Sequence, residues 1–333
     1  MATLTDVEIK KLLTEPSSVT MRPPYEGGNI NTAIGFKCDN YMLEAAVLDH
    51  FRAVGLGATE LYLVHGVNFD VVGVDTRLHT VLTLDDDVRI EVTPKTKDTD
   101  REMVFALAAI VERDGAPKKA VTSKFRVLLR RDPAIPDPAP LPAELERFVV
   151  DRLATAEPTE LAGTPSDDLN GAFHRGEDAD TDPVLAEIIG DDNAVGWKWR
   201  VPYYYCHFTE RMQMSGYLRQ MEEAKHLFVA SRGISIKRLL DERGWIPVVT
   251  SNKLHFTDET IMEEDLYTVY TVESVFKDML YTSRMDFYVV RDGKLVKTAT
   301  GEITHGYCHK ETPDSEWQMA VFDDEVLRAI RGE

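Results

Sequence analysis

Glu222 and Glu223 interrupt a helical run that is otherwise apolar, formed by Leu218, Met221, Ala224, Leu227 and Phe228. A carboxylate pressed against an apolar surface is penalised in its charged form. Its pKa therefore climbs toward the range where it can serve as general base or nucleophile at neutral pH. Either one also reads as an exposed helix carboxylate paired at i,i+3 or i,i+4 with Lys225 or His226; that plainer reading is preferred for Glu223, which leaves Glu222 as the stronger candidate. Upstream, His207 sits where a general acid or base would be wanted. Among Tyr203, Tyr204, Tyr205 and Phe208 it reads equally well as a packed, hydrogen-bonded ring. Arg211 and Gln213 offer donors to an oxyanion or a phosphate, or else a surface charge and a helix cap. Tyr217, at the start of the same helix, is counted with them as a substrate contact.

These residues have counterparts earlier in the chain. Sliding the sequence along itself by 178 positions (291 − 113 = 178) places Arg22, Pro24 and Tyr25 on Arg200, Pro202 and Tyr203. The same shift places Glu44 on Glu222, Ala46 on Ala224, Gly55 on Gly233 and Asp87 on Asp265. Arg113-Asp114-Gly115 falls on Arg291-Asp292-Gly293. One ungapped offset held over about a hundred residues is the signature of an internal repeat, and its period is far too long for a solenoid. One domain has been duplicated and fused. Glu44 becomes the first copy's helix carboxylate, and Asn31, Asp39 and Asn40 become the polar residues leading into that helix. Asn and Asp in such places also serve as N-caps.

The elements that must position these groups are an α-helix and a set of strands in each copy. In the first copy, Leu43, Ala46, Val47, Phe51 and Val54 recur at spacings of three and four. They predict a helix over 41–54 closed by Gly55. Strand-like runs follow at 67–74, 77–84, 87–94, 103–112 and 120–129, with a tight hairpin at Asp114-Gly115. In the second copy the corresponding helix is expected over 216–230. Strands follow at 245–256, 265–275, 279–290 and 297–309. The expected organisation is a first domain at 22–130, a connector at 131–199 and a second domain at 200–310. The connector is rich in proline and acidic residues, with one helix over 143–156. A polar tail ends in a short helix near 325–330.

Composition narrows the function classes. A chain of 333 residues with 43% hydrophobic content can bury two ordinary cores. Its net charge of −19 argues against nucleic acid or an anionic membrane as partner. The first residues, MATLTDVEIKKLL, lack the apolar core of a signal peptide. Cys38, Cys206 and Cys308 have no metal-ligand spacing and suggest free thiols in a reducing cytoplasm. Cys38 beside Lys37 is a possible thiol nucleophile or a buried inert cysteine. His305 and His309, four apart on a strand, do not converge on one ion. Neither a metal nor a cofactor is expected.

The order of loop, long helix and curled antiparallel strands resembles the hotdog fold, and the second copy resembles the 4-hydroxybenzoyl-CoA thioesterase family in detail. YLRQMEEAKHLFVASRG is similar to that family's central helix. GWIPVVTSNKLHF and EEDLYTVYTV are similar to its second and third strands, with LEAAVLDHFRAVGL and LTLDDDVRIEV as first-copy equivalents. The resemblance implies an α+β double hotdog, each central helix wrapped by an antiparallel sheet, arranged as a single-chain pseudo-dimer. It further implies that the loop before each helix faces the other copy's helix; a homo-oligomer of such double-hotdog chains is left open by the sequence. The implied activity is hydrolysis of an acyl thioester carried by CoA or acyl carrier protein, with Glu222 or Glu44 as the helix carboxylate. Arg211, Lys225, Lys237, Arg238 and Arg243 would then form the local basic patch for CoA phosphates. Dehydration of a 3-hydroxyacyl thioester, pairing His207 with Glu44 or Asp39, is the alternative chemistry. Non-catalytic binding of a hydrophobic acid is the alternative class. It is favoured by the absence of the family's Asp, Gly-His, Asn pattern from the loop before either helix.

Overall fold

The computed structural model describes residues 6–166, 182–310 and 317–333, and the chain divides into two units, Met1–Leu153 and Ala154–Glu333. The first unit opens with α1 (Asp6–Thr14) and β1 (Ser17–Met21). The long helix α2 (Phe36–Arg52) and the short α3 (Ala58–Leu63) follow. Next come β2 (Val67–Leu78), β3 (Val88–Pro94), β4 (Met103–Arg113) and β5 (Ala116–Arg131). One turn of helix, α4 (Ala143–Glu146), and the two-residue β6 (Val149–Val150) close the unit. The strands lie in the order β1-β3-β4-β5-β2, antiparallel throughout, with β6 parallel to the end of β5. Met42, Leu43, Ala46, Val47 and Phe51 give α2 one buried face. Phe51 packs edge-on against Phe69 and Phe105, and burial of such a ring contributes about 2–3 kcal/mol.

The second unit begins with β7 (Thr159–Glu160), α5 (Pro183–Ile189) and β8 (Ala194–Arg200). A small hairpin of β9 (Cys206–His207) and β10 (Arg211–Met212) precedes α6 (Met214–Ser231) and α7 (Ile236–Arg243). The sheet strands are β11 (Trp245–Phe256), β12 (Asp265–Phe276), β13 (Leu280–Arg291) and β14 (Lys294–His309). β15 (Gln318–Met319) and α8 (Asp324–Arg331) end the chain. The order β8-β12-β13-β14-β11 repeats that of the first unit, with β7 and β15 pairing onto β14. Each unit is thus an α+β assembly in which an antiparallel sheet wraps one long helix. Among the described residues no helix is long and apolar enough to cross a membrane.

The 178-residue offset holds for the strand ladders residue by residue. Val67↔Arg131 becomes Trp245↔His309, Met103↔Val127 becomes Tyr281↔His305, and Ser17↔Val92 becomes Val195↔Tyr270. Even the irregularities move together: the shift between Val71 and Gly73 reappears between Val249 and Ser251. Asp114 and Gly115 take φ of 54° and 73°, and Asp292 and Gly293 take 51° and 73°. Two successive positive φ values define the tight hairpin that Asp-Gly favours. Shared charges make the same ion pairs. Arg113 grips Asp86 at 2.6 Å, and Arg291 grips Glu264 at 2.7 Å.

Four expectations change. α2 starts at Phe36, so Cys38, Asp39 and Asn40 lie inside the helix and do not lead into it. The run at 77–84 is a strand only as far as Leu78, because the chain then turns through an irregular segment anchored by Ile34 N donating to Leu82 O. The helix over 143–156 is a single turn. Residues 194–199, expected as connector, form with Arg200 the edge strand β8, just as residues 17–21 before the first copy form β1. The acidic stretch 167–181 lies outside the described residues.

Arg291 does more than its mate. It also donates to Asp258 at 2.8 Å and to the Glu259 carbonyl at 2.6 Å, with Asp258 itself buried. Removing it strands a buried carboxylate. Arg291→Met is expected to cost about 3 kcal/mol and Arg113→Met about 1.5 kcal/mol, read as urea-unfolding free energies. A loss for Arg113→Met equal to or above that for Arg291→Met would contradict this.

Candidate active site

In the first unit the chain reaches α2 through a 3-10 turn at Tyr25–Gly27 and a loop closed by Asn29 N donating to Ala33 O and Gly35 N donating to Gly27 O. Gly27 is required by close approach, since a Cβ there would collide with the Cys38 sulfur. Asn31 takes a left-handed φ of 75°, and its Nδ2 has no hydrogen-bond partner among the described residues. Gly35 caps α2 without any side-chain bond. Asn40 is fully buried: its Nδ2 donates to Phe36 O, and its Oδ1 accepts from Thr76 Oγ1 at 2.7 Å. Thr76 continues to Ser123, so Asn40 ties the helix to the sheet.

Asp39 is buried and its Oδ1 lacks a partner, and burial pushes its pKa up to about 8. The reason lies in the duplication. Asp39 corresponds to Tyr217 (217 − 39 = 178), whose hydroxyl donates to Thr260 and through it reaches Thr298. At the matching places the first unit has Leu82 and Ala120, which offer a carboxyl group nothing. Glu44, half-buried one turn further along α2, is raised to about 7 by burial first and then by the neighbouring Asp70. The Cys38 thiol is pushed up to about 12 by burial and by Asp39, which removes it as a thiolate nucleophile at neutral pH.

In the second unit Tyr217 is buried between Phe256 and Phe287, with its rings edge-on at 4.9 and 5.1 Å. It is a core residue whose one polar atom is already spoken for. Gln213 caps α6 through its backbone: its N donates to Tyr205 O, and its carbonyl accepts from Gly216. Arg211 is buried, donates to Thr209 Oγ1 at 2.7 Å and stands 4.0 Å from Glu259. His207 lies in β9, and its side chain is outside the described residues. Glu222 is half-buried on α6, close enough to Lys225 to act on it electrostatically. Glu223 makes the helical contact expected of the plainer role, 3.6 Å from His226.

The expected basic patch does not form. Lys225 is buried, Lys237 pairs with Asp241, and Arg238 pairs with Glu242 and Glu325. Arg243 pairs with Glu242, Asp323 and Glu325. Acidic neighbours on α7 and α8 have taken up these charges.

Residues 191–330 match the thioesterase-like superfamily. In fold the chain is similar to a provisionally assigned oleoyl thioesterase from Lactobacillus plantarum (TM-score 0.56, 12% identity, covering 90% of this chain and 98% of that one). It is similar as well to an acyl-ACP thioesterase from Bacteroides thetaiotaomicron (TM-score 0.53, 9% identity, 90% and 99%). A third is the 12:0-ACP thioesterase from Umbellularia californica (TM-score 0.53, 10% identity, 88% and 94%). The family match is thus carried by the second unit, and the whole chain shares its fold with these solved structures. At such identities the structural likeness speaks for the fold alone, and no curated protein matches the sequence.

Within the second hotdog unit, one group of residues escaped the sequence reading. His305 is buried and hydrogen-bonded through Nε2 to Tyr270 at 3.0 Å and Ser283 at 3.1 Å, with the Tyr281 ring tilted against it at 4.1 Å. Among the described residues no group of three His, Cys, Asp or Glu side chains could hold a metal. The available signal was the offset itself: Tyr270, Tyr281 and His305 align with Val92, Met103 and Val127.

Asp39 sets a pH dependence. Its folded pKa of about 8 stands above the ordinary aspartate value, so the folded state holds the proton more tightly. That contribution is complete below about pH 4 and is lost as pH rises to about 8. Asp39→Asn keeps the group neutral throughout. It should match the wild type at pH 4 and exceed it by roughly 3–5 kcal/mol at pH 9, measured by urea unfolding at both pH values. A constant difference across that range would show that Asp39 does not titrate in this way.

Proposed function

We propose that this chain hydrolyses an acyl thioester, with Glu44 on the central helix of the first hotdog unit as the general base. The observation that carries this reading is a half-buried carboxylate whose pKa is about 7, placed on the long helix of a fold shared with thioesterases. A base works best when its pKa lies near the operating pH. Burial brings Glu44 there by disfavouring its charge, and Asp70 adds to the shift. Ionised, Glu44 removes a proton from water as the water oxygen attacks the thioester carbonyl carbon. The tetrahedral oxyanion needs preorganised donors. Helix α2, whose first turn carries no side-chain cap, supplies backbone N–H groups and the positive end of its dipole. Collapse of the intermediate breaks the carbon–sulfur bond, and the thiol leaves with a proton.

Glu222, at the same place in the duplicate, is the candidate base of a second site, which follows α6 as the first follows α2. Asn31, in the loop before α2, is the loop contact of the first site in this reading. A carrier reached through CoA or acyl carrier protein fits the thioester chemistry. The net charge of −19 and the neutralised cations of α7 favour contacts other than a broad basic patch.

Two outcomes are expected with a medium-chain acyl-CoA and a thiol-detecting reagent. The wild type should release free thiol with kcat/KM rising to a plateau through an inflection near pH 7. Glu44→Gln should lower kcat by about 10²–10³-fold and abolish that inflection, with the circular dichroism spectrum unchanged. Retention of both rate and inflection would remove Glu44 from the mechanism. Loss of thiol release by Glu222→Gln alone would move the chemistry to the second unit.

A further inference from the structure

Six buried positions on the inner face of the second unit carry Lys225, Tyr270, Tyr281, Ser283, His305 and Tyr307. Their mates under the 178-residue offset are Val47, Val92, Met103, Phe105, Val127 and Leu129, all fully buried. The ladders place these residues at identical registers, so the same layer of the same fold is apolar in one unit and polar in the other. An apolar layer is the sufficient solution to folding, as the first unit demonstrates. A lysine in its place costs several kcal/mol of desolvation unless it is paired.

Lys225 is not paired in the usual sense. Its Nζ lies 5.1 Å from the centre of the Tyr307 ring, with no hydrogen-bond partner among the described residues. The hydroxyls of Tyr281 and Tyr307 act on one another yet lack partners of ordinary hydrogen-bond geometry. His305 Nε2, by contrast, is met by the hydroxyls of Tyr270 and Ser283. Burial lowers the Lys225 amine to about 7 and Glu222, on its own helix, opposes that shift, while burial and the nearby Lys225 hold His305 well below the usual histidine range. An amine and two hydroxyls without ordinary hydrogen-bond partners among the described residues thus lie inside the wrap of the sheet around α6. All three can donate to oxygen, and among the described residues the carboxylate acting on Lys225 is Glu222 of its own helix.

We propose that this layer is a binding site for the distal end of an acyl group bearing a carboxylate. Lys225 pairs with the carboxylate, and Tyr281 and Tyr307 donate to its oxygens. The inference rests on the acyl-thioester reading for the nature of the chain, and it narrows the substrate class from plain fatty acyl groups to ω-carboxyacyl groups. A charge-assisted bond in a dry interior discriminates strongly, because a methyl terminus would leave the same donors stranded.

The test separates binding from turnover. Isothermal titration of the full chain with hexanedioate, octanedioate, decanedioate and dodecanedioate is set against the monocarboxylate of each length. At least one diacid is expected to bind about tenfold more tightly than its monoacid, and Lys225→Met should erase that preference. The valine at position 47 indicates that the fold accepts an apolar residue there, so Lys225→Met should fold and melt at a higher temperature than the wild type. If no diacid is preferred, or if the preference survives in Lys225→Met, the inference is overturned. Thiol release from the corresponding acyl-CoA esters is followed in parallel. Hydrolysis without diacid preference would sink this inference and leave the thioesterase reading standing. Lys225-dependent diacid binding without hydrolysis of any ester would do the reverse.

Discussion

The wrapping of one antiparallel sheet around one helix is the constraint on which everything else in each unit depends. A strand shows alternate side chains to the helix, so a slip of one residue would exchange the buried row for the exposed one. The registers are therefore held with little freedom, and the duplicated units keep them to the residue, bulges included. With the backbone fixed in this way, the two copies have diverged through the side chains of the inner face. Comparison of mates then becomes a physical experiment within one chain: same register, different chemistry.

That comparison accounts for the unusual titrating groups. Asp39 is orphaned because Leu82 and Ala120 stand where Thr260 and Thr298 satisfy Tyr217. Lys225 stands among Tyr270, Tyr281, His305 and Tyr307 at positions whose mates in the first unit are Val92, Met103, Val127 and Leu129. Both are costly to the folded state, and neither is needed to hold it together. The residues that do hold it, such as the Arg113–Asp86 and Arg291–Glu264 pairs, occupy matching places and repeat the same contact. Sameness across the repeat marks structure, and difference marks the places where chemistry can have been acquired. Glu44 and Glu222 belong to a third kind: the residue is kept while its surroundings differ.

Much of this was legible in the sequence. The offset, the two Asp-Gly hairpins, the apolar stripes of both long helices and the main strands can all be read from residue type and spacing. What was not legible depended on tertiary partners. Asn40 looks like a helix cap, but inside the fold it finds Phe36 O and Thr76, so the helix begins at Phe36. Tyr217 looks like a contact for substrate, and its ring is instead enclosed by Phe256 and Phe287. The edge strands β1 and β8 are short, and the alternation of Val195, Trp197 and Trp199 with Gly196, Lys198 and Arg200 in β8 is hidden beside the long acidic connector. The basic residues of α7 were visible, but not the acidic residues of α8 that neutralise them.

The central claim is that a thioester carbonyl is brought to a carboxylate on a long hotdog helix. The most direct measurement is a crystal structure of the chain with a non-cleavable thioether analogue of an acyl-CoA. The account predicts the analogue's carbonyl oxygen at the start of α2, with the Glu44 carboxylate within reach of the carbonyl carbon through one water molecule. An analogue bound with its carbonyl remote from both Glu44 and Glu222 would contradict it.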